Sequence, residues 1–340
     1  MEIEAAMVRA NELAQLGLGL VSPNPIVGAV ILDSNGDLIS TGFHQSAGGE
    51  HAEIVAIKSA RSKLDGATLV VTLEPCNHQG KTPPCTEAII EAGIKRVIYA
   101  IPDPNPVASG GAERLKSAGL EIFSGILSDK VSEANRAWLK KVRTGLPYLT
   151  MKIASTLDGK IAASDGTSKW ITSDISRDDV AKLRSECDAI FTGTGTVLAD
   201  NPKLTVRGVE RPEITKKFSP TRVVLGQHEI SERAEIFSPD AETIHLRTRD
   251  LNESLELAKL RGWNRILIEA GPGLSTAFLK ANLVDEIFWY QAPAILGSGK
   301  AAIGDLGIAS LTDRISFSLV DVHAMPGSNG DLRIHLRIGG

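Results

Sequence analysis

One imidazole, two thiols and one carboxylate are spaced in this chain as a hydrolytic metal site requires. Glu53 follows His51 by two residues, and Cys76 and Cys85 come after a short interval. The imidazole and the two thiolates can supply three ligands to a tetrahedral Zn²⁺ and leave its fourth position for water. Glu53 opens an apolar run, residues 54–57, that is typical of a helix, so its carboxylate can reach that water without being a ligand. Three ligands and one unligated acid predict hydrolysis.

The same residues also admit a structural zinc site, with His44 or His78 as the fourth ligand. The position of Glu53 favours hydrolysis over that alternative. In hydrolysis, zinc lowers the pKa of its water to about 7, and the hydroxide attacks a ring carbon that carries an exocyclic amine. Glu53 would take the proton of the water, protonate the ring nitrogen and deliver a proton to the departing ammonia.

The motif around these residues is similar to that of zinc nucleobase deaminases, in which His-x-Glu precedes Pro-Cys-x-x-Cys. Here eight residues, 77–84, separate the two cysteines instead of two. With Leu-Glu-Pro-Cys at 73–76, Gly-Lys-Thr-Pro-Pro-Cys at 80–85 and Asp-Pro-Asn-Pro at 103–106, the chain resembles the bifunctional riboflavin-biosynthesis deaminase/reductase family. The resemblance implies that the first half deaminates a diaminopyrimidinone carrying a ribosylamino 5-phosphate.

The resemblance also implies a set of residues that bind the pyrimidine ribotide. They are Asn24, His44, His78, Lys81, Asp103 and Asn105. Asn24 lies between two prolines and could equally be an ordinary turn residue. His78 and Lys81 could hold a phosphate or the edge of the ring, although a loop lysine is more often solvated.

In the second half, a strand leads into Gly-Pro-Gly at 271–273 and then into a helix. Backbone N–H groups at such a helix start can bind a phosphate. The pattern does not complete the Gly-x-Gly-x-x-Gly fingerprint, because Thr276 stands at the third glycine position. Taken alone it is therefore a weak signal, since many α/β turns look like it.

Residues 151–160, 170–172 and 194–207 resemble the reductase half of the same family, which implies a dihydrofolate-reductase-like fold and NADPH as cofactor. The implied reaction reduces the ribosyl group to a ribityl chain. The implied cofactor contacts are Ala154, Trp170, Thr196, Asp200, Gly271, Pro272, Gly273, Leu274, Ser275, Thr276 and Ala277. The implied substrate contacts are Ser168, Arg184, Leu204, Arg207 and Glu269.

Several of these residues have a simpler alternative. Arg184 and Arg207 could be phosphate-binding forks or plain surface arginines, and Trp170 could belong to the core. Asp200 is the candidate for assisting hydride transfer. Arg222, at the start of a predicted strand, is the expected cation for the 2′-phosphate of NADPH and would give at least a tenfold preference over NADH, although it could be a strand-edge surface charge.

Strands alternating with helices predict an α/β protein with two domains. The first, residues 1–145, is expected to be a cytidine-deaminase-like three-layer domain, with the His-x-Glu pair on a helix over 50–60. Arg143 to Pro147 is the expected boundary, and residues 146–340 would be the reductase domain. Its expected strands are 148–154, 189–193, 222–225, 243–246, 265–269, 286–291 and 316–323. Residues 208–219 and 226–262 carry no usable motif.

Charge and composition limit the partners and the cellular compartment that can be expected. Lysine and arginine number 37 against 41 acidic residues, a net charge of −4, and aromatic residues make up 4%. This argues against nucleic acid as a partner. The acidic N-terminus and the lack of a long apolar run predict no signal peptide and no membrane partner, hence the cytosol. The third cysteine, Cys187, has no visible partner.

The small-molecule ribotide is therefore the expected partner, and a homo-oligomer is compatible with the sequence. Two other functions stay open at this point. One is a nucleic-acid base deaminase with an accessory domain, which the acidic charge argues against. The other is a non-catalytic zinc module, which would bind the metal without turnover while Glu53 is intact.

Overall fold

The computed structural model describes residues 1–78, 83–209 and 218–339. Contacts between Cα atoms divide the chain into two compact units, the first covering Met1–Leu146 and the second beginning at Pro147. Each unit has a hydrophobic core of its own. None of the described helices is long and apolar enough to cross a membrane.

The first unit is built on one mixed sheet. Within residues 1–78 and 83–146 its strands are β1 (Gly28–Leu32), β2 (Leu38–Phe43), β3 (Thr68–Leu73), β4 (Arg96–Ile101) and β5 (Glu121–Ser124). Its helices there are α1 (Ile3–Gln15), α2 (Ala52–Ser59), α3 (Cys85–Glu91), α4 (Gly111–Ser117), α5 (Ser128–Ala134) and α6 (Arg136–Thr144). The strand order is β2-β1-β3-β4-β5; β1 is antiparallel to β2 and β3, while β3, β4 and β5 are parallel.

Two glycines show that helices cover both faces of this sheet. A Cβ at Gly28 would lie 2.0 Å from Ala10 O in α1, and a Cβ at Gly42 would lie 2.3 Å from Ala52 O in α2. Gly42 is paired with Ala29, the neighbour of Gly28. Since successive residues of a strand point to opposite faces, α1 and α2 lie on opposite sides of the sheet. This confirms the expected three-layer fold.

The helix that was expected to carry the His-x-Glu pair begins later than predicted. It starts at Ala52, and His51 precedes it with an extended backbone, φ −73° and ψ 159°. Glu53 therefore lies in the first turn of α2, while His51 is the residue immediately before that helix. His51 and Glu53 therefore do not lie on the same helix, because the backbone changes from extended to helical between them.

The second unit contains a larger sheet. Its strands within residues 147–209 and 218–339 are β6 (Tyr148–Thr156), β7 (Lys160–Ala162), β8 (Ala189–Gly193), β9 (Thr221–Leu225), β10 (Thr243–Leu246), β11 (Arg265–Ile268), β12 (Glu286–Ala292), β13 (Lys300–Ala301), β14 (Phe317–Ala324) and β15 (Leu332–Ile338). The helices in those ranges are α7 (Asp174–Ser185), α8 (Thr194–Asp200), α9 (Leu251–Arg261) and α10 (Pro272–Lys280), with 3₁₀ turns at Glu235–Phe237 and Leu311–Asp313.

Strands β10-β9-β8-β11-β6-β12 are parallel neighbours in that order, and β15 and β14 extend the sheet in antiparallel fashion. Strands β7 and β13 pair separately. Strand β15 was not among the expected strands, although its alternating Leu-Arg-Ile-His-Leu-Arg-Ile sequence has the period of a strand. The carboxyl ends of the parallel strands meet at one edge, where ligands bind in sheets of this kind.

Candidate active sites

The structure brings together the three residues expected to bind a metal. His51 precedes α2, Cys76 follows β3, and Cys85 is the first residue of α3; their ligand atoms all lie within 4.8 Å of one another. His51 Nδ1 is 3.2 Å from Cys85 Sγ and 3.5 Å from Cys76 Sγ. Tetrahedral zinc, with bonds of about 2.3 Å to sulfur and about 2.0 Å to nitrogen, places its ligand atoms roughly 3.5 Å apart. The three residues therefore fit zinc.

The surroundings of Cys76 and Cys85 shift the pKa values of both thiols in a way that suits a bound cation. Cys76 accepts hydrogen bonds from its neighbours, including the Cys85 backbone N–H at 3.5 Å. The side chains of Cys85 and His51 hydrogen-bond to the same sulfur, and together these contacts lower the pKa of Cys76 to about 4. The pKa of Cys85 is raised, because the Cys76 sulfur and burial both disfavour a second thiolate. A divalent cation would offset the repulsion between two thiolates.

Glu53 is buried beside this cluster, with 3% of its surface exposed. Close packing of α2 on β2 at Gly42 fixes the position of its first turn. Burial raises the pKa of Glu53 to about 7, and the charge of Cys76 adds to this, while His51 and Cys85 act in the opposite direction. A carboxyl group with such a pKa can both accept and donate a proton near neutral pH.

Asn24 and His44 form one hydrogen-bonded pair near the cluster. His44 Nδ1 lies 2.9 Å from Glu50 O, and His44 Nε2 lies 3.0 Å from Asn24 Nδ2. The carbonyl can only accept, so Nδ1 carries the proton and Nε2 accepts from Asn24. Burial lowers the pKa of His44, which keeps the ring neutral. The His44 ring meets the His51 ring edge to face at 5.5 Å, which brings this pair beside the candidate metal ligands.

The remaining expected pocket residues of the first unit differ in their surroundings. His78 Nδ1 is buried and makes no hydrogen bond to any other residue that the structure describes. Burial raises the pKa of Asp103, and nearby Cys76 and His78 also act on it. Asp103 Oδ1 accepts from Asn105 N at 2.8 Å, so both residues also shape their own loop. Lys81 lies outside the described residues.

Glu74, in the Leu-Glu-Pro-Cys motif, is a positioning residue for which the sequence predicted no role. Its carboxylate accepts from Ala112 N at 2.9 Å and from Asp103 N at 3.2 Å. These bonds tie the segment before Cys76 to the loop after β4 and to the start of α4. The signal was present in Leu-Glu-Pro-Cys, since an acid directly before a proline and a metal ligand is poorly suited to a buried turn unless it is hydrogen-bonded.

The second unit contains a cavity of about 1300 Å³ at the carboxyl ends of its parallel strands. Single small-molecule sites are usually about 300–1,000 Å³, so this cavity has room for two ligands. All five expected substrate contacts line it: Ser168, Arg184, Leu204, Arg207 and Glu269. Of the expected cofactor contacts, Ala154, Trp170, Thr196, Asp200, Gly271, Pro272, Gly273, Leu274 and Ala277 line it as well.

A buried charge cluster lies at the carboxyl end of β11, beside the middle of β6. Glu269 Oε1 accepts from Arg184 Nε at 2.5 Å, and Glu269 Oε2 accepts from Arg184 Nη2 at 2.9 Å and lies 3.0 Å from Lys152 Nζ. Burial alone would raise the pKa of Glu269, but Arg184 and Lys152 outweigh it and lower that pKa to about 2. Arg184 also donates to Thr205 O at 3.0 Å. Its fork is thus occupied by Glu269 and is not an open phosphate fork as expected.

Two hydrogen bonds connect expected contact residues in the cavity wall, one within the cofactor set and one between the cofactor and substrate sets. Thr196 Oγ1 accepts from Gly271 N at 3.0 Å, which joins the starts of α8 and α10. Asp200 Oδ1 accepts from Ser168 Oγ at 3.0 Å. Trp170 is 66% exposed in the cavity wall, so its alternative as a core residue is wrong. By helix geometry the N–H groups of Gly273 and Leu274 have no partner within α10 and are available to a phosphate.

Three expected cofactor contacts do not reach the cavity. Ser275 and Thr276 face inward from α10; Ser275 is 1% exposed, and Thr276 Oγ1 accepts from Gly304 N at 2.7 Å. Arg222 is fully buried, and its guanidinium donates to carbonyl oxygens of Lys203, Ser238 and Ala241. The expectation that Arg222 binds the 2′-phosphate is therefore wrong, because its donors are used in holding the surrounding loops.

The cavity also includes two segments for which the sequence carried no motif. They are residues 226–228, after β9, and residues 248–251, after β10. Lys152, within the motif at residues 151–160, also lines the cavity, although the sequence predicted no role for it. The available signal was Thr248-Arg249-Asp250 before an amphipathic stretch, which is a typical helix start.

Comparisons with known proteins match both units. Residues 1–101 match the cytidine and deoxycytidylate deaminase zinc-binding region, and residues 147–327 match the RibD C-terminal domain. Riboflavin biosynthesis protein RibD of Mycobacterium tuberculosis is 43% identical over 94% of each chain, and that of Escherichia coli is 39% identical over 99% of each chain. This chain belongs to the RibD family.

Solved structures agree with that membership. A Thermotoga maritima protein, described as a diaminohydroxyphosphoribosylaminopyrimidine deaminase/5-amino-6-(5-phosphoribosylamino)uracil reductase, superposes with a TM-score of 0.89 at 36% identity over 99% of each chain. RibD of Acinetobacter baumannii has a TM-score of 0.89 at 37% identity, also over 99% of each chain. The chain is thus a bifunctional deaminase/reductase of riboflavin biosynthesis, with a zinc-binding deaminase domain and an NADPH-dependent reductase domain.

Proposed function

We propose that residues 1–145 deaminate a diaminopyrimidinone that carries a phosphoribosylamino group, and that residues 146–340 reduce the ribosyl group of the product. The substrate named for the T. maritima relative supports this choice, as do two sites with different chemistry. The first site offers a metal and a proton carrier. The second offers a cavity with room for a cofactor and a sugar phosphate.

In the deaminase, His51, Cys76 and Cys85 would hold zinc, which when bound supplies a Lewis acid that makes water nucleophilic at neutral pH. Glu53 would accept the proton that the attacking water loses and pass it to the ring nitrogen. It would then deliver a proton to the exocyclic amine, which leaves as ammonia while the ring carbon becomes a carbonyl. Asn24, oriented by neutral His44, would bind the ring edge together with His78, Lys81, Asp103 and Asn105.

The observation that carries this proposal is the buried Glu53, one residue into α2 and two residues after a candidate ligand. Glu53→Gln keeps the shape of the side chain but cannot shuttle protons. We expect ammonia release to fall by about 10²–10⁴-fold, with zinc near one equivalent per chain and reduction of pre-deaminated substrate unchanged. Zinc lost together with activity would assign Glu53 to the ligands or to folding instead.

In the reductase, NADPH when bound supplies a hydride to C1 of the ribosyl group, and a proton from the protein or solvent completes the ribityl chain. Gly273 and Leu274 at the start of α10 would bind the pyrophosphate through backbone N–H groups. Asp200 is our candidate for assisting the transfer, since its bond to Ser168 joins a cofactor contact to a substrate contact. Arg207, exposed in the cavity wall, would bind the substrate phosphate.

Incubation with the diaminopyrimidinone ribotide, with and without NADPH, tests both steps when products are identified by mass. We expect one amino group to be replaced by a carbonyl oxygen without cofactor, with release of ammonia, and the further gain of two hydrogens with it. We also propose that the enzyme acts in the cytosol as a homo-oligomer. Sedimentation equilibrium tests the oligomeric state, and a monomer at micromolar concentration would contradict the homo-oligomer. Fractionation of cells tests the compartment.

A further inference from the structure

NADPH differs from NADH by a 2′-phosphate on its adenosine ribose, and a site that prefers NADPH needs a cation there. Buried Arg222 cannot supply it. Among residues that the structure describes, three cavity-lining cations have side chains with no hydrogen bond or ion pair to another residue: Arg207, Arg249 and Lys300. Their positions along the sheet decide which of them can meet the adenosine.

The orientation of the cofactor follows from where the substrate must sit. Lys152, Arg184 and Glu269 cluster at the carboxyl end of β11, beside the middle of β6. The nicotinamide must be near this cluster to pass a hydride to the substrate. The start of α10, directly after β11, is placed for the pyrophosphate. The adenosine then extends along the strand ends toward β9 and β10, which lie beyond β8 in the sheet.

Of the three cations, only Arg249 lies at that end. Arg207 is two residues from Thr205, whose carbonyl accepts from Arg184, so it belongs to the substrate side. Lys300 lies in β13, which pairs with β7, the strand that directly follows β6. Arg249 follows β10, four strand spacings from β6, or roughly 19 Å at about 4.8 Å each.

The loop that carries Arg249 is ordered by its own hydrogen bonds. Thr248 Oγ1 donates to Glu253 Oε1 at 2.7 Å and accepts from Asp250 N at 3.0 Å. Asp250 Oδ1 in turn caps α9 by accepting from Asn252 N at 2.9 Å. His245 Nε2, in the strand that leads into this loop, lies 3.0 Å from Gly226 O. The neighbouring polar groups are therefore used within the loop, whereas the Arg249 guanidinium is exposed in the cavity wall.

We propose that Arg249 binds the 2′-phosphate of NADPH and thereby determines the preference for NADPH over NADH. This inference rests on the proposed reductase function of the second unit. A planar guanidinium can bind a phosphate through two parallel hydrogen bonds, which are stronger than neutral ones. The contact does not take part in the hydride transfer itself, so its loss should change cofactor affinity and leave turnover at saturation unchanged.

The test compares two ligands that differ only in the 2′-phosphate, adenosine 2′,5′-bisphosphate and adenosine 5′-monophosphate, by titration calorimetry. The wild-type chain should bind the bisphosphate at least about tenfold more tightly. Arg249→Ala should abolish that difference and leave the affinity for the monophosphate within twofold, and Arg249→Lys should restore part of it. Arg247→Ala is the matched control, because Arg247 is an exposed arginine two residues away that pairs with Glu229 at 2.7 Å.

Steady-state kinetics add a second readout. Arg249→Ala should raise the KM for NADPH about tenfold with kcat unchanged and leave both constants for NADH as in the wild type. A variant that keeps the preference for the bisphosphate, or that loses affinity for both ligands equally, would overturn the proposal. An enzyme that reduces no substrate would contradict the proposed function. The titration needs no turnover, so it would still test whether Arg249 binds the 2′-phosphate.

Discussion

The two sites of this chain differ in how tightly the polypeptide encloses them. In the deaminase unit, the candidate ligands and the candidate acid come from residues 51–85 and are packed in the interior, where Glu53 and His44 are each 3% exposed. In the reductase unit, the cavity of about 1300 Å³ is lined by segments from Lys152 to Ala302, and Trp170 in its wall is 66% exposed. Proton transfer beside a metal needs a dry, narrow site, whereas two large ligands that must meet need an open one.

This contrast predicts that loss of one ligand will disable the first site alone. Cys85→Ser should reduce bound zinc from about one equivalent to near zero and abolish ammonia release, because metal binding and folding of such a site share one free energy. Reduction of pre-deaminated substrate should persist, since the second unit has its own core. Metal analysis and the two separate assays measure this. Cys187→Ser is the control, and zinc loss in that variant would contradict the assignment of ligands.

A middle-sized effect is expected from the charge cluster of the second unit. Glu269→Gln leaves Arg184 and Lys152 without their carboxylate and should destabilise this unit by about 3 kcal/mol. Urea unfolding measures this destabilisation. The unfolding transition of the second unit is identified as the one that does not change when zinc is removed. Glu256→Gln is the control, because its pair with Lys259 is at the surface and contributes little.

The effect of Glu269 should also depend on pH. Its folded-state pKa of about 2 lies below the ordinary value of 4.5, so its stabilising contribution is present above pH 4.5 and is lost as the pH falls toward 2. The difference in unfolding free energy between wild type and Glu269→Gln should therefore be constant near neutral pH and narrow below pH 4.5. If the difference in unfolding free energy grew on acidification, the lowered pKa of Glu269 would be excluded as its cause.

The smallest expected effects concern packing around two glycines. Gly42→Ala places a Cβ 2.3 Å from Ala52 O, so α2 must shift, which should cost about 2 kcal/mol and lower deaminase activity. Gly273→Ala meets nothing within 4 Å and should change stability by less than about 0.5 kcal/mol. Thermal unfolding of both variants compares the packed site with the open one. If both variants were destabilised equally, the two sites would not differ in how tightly they are packed.

Much of the first site could be predicted because its signal is local. His-x-Glu and the two cysteines lie close in sequence, and ligand chemistry allows few arrangements of an imidazole and two thiols. The role of Glu74 could not be predicted, since its partners, Asp103 N and Ala112 N, belong to a loop and a helix further along the chain. The second site was predicted less completely, because segments after β9 and β10 reach it only through the order of strands in the sheet.

The sequence by itself determined the candidate residue types for the chemistry, the alternation of strands and helices, and the separation into two halves. Tertiary structure alone decided which arginine can meet a ligand. Arg222 is the second residue of β9, whereas Arg249 comes three residues after the end of the neighbouring strand β10. Because β9 and β10 pair in parallel, the two arginines lie at opposite edges of the sheet, and that pairing is a property of the tertiary structure. Arg222 is fully buried among carbonyl oxygens, whereas Arg249 is exposed at the cavity. The physical reason is that a side chain's access to solvent depends on packing between segments distant in sequence, which local pattern does not encode.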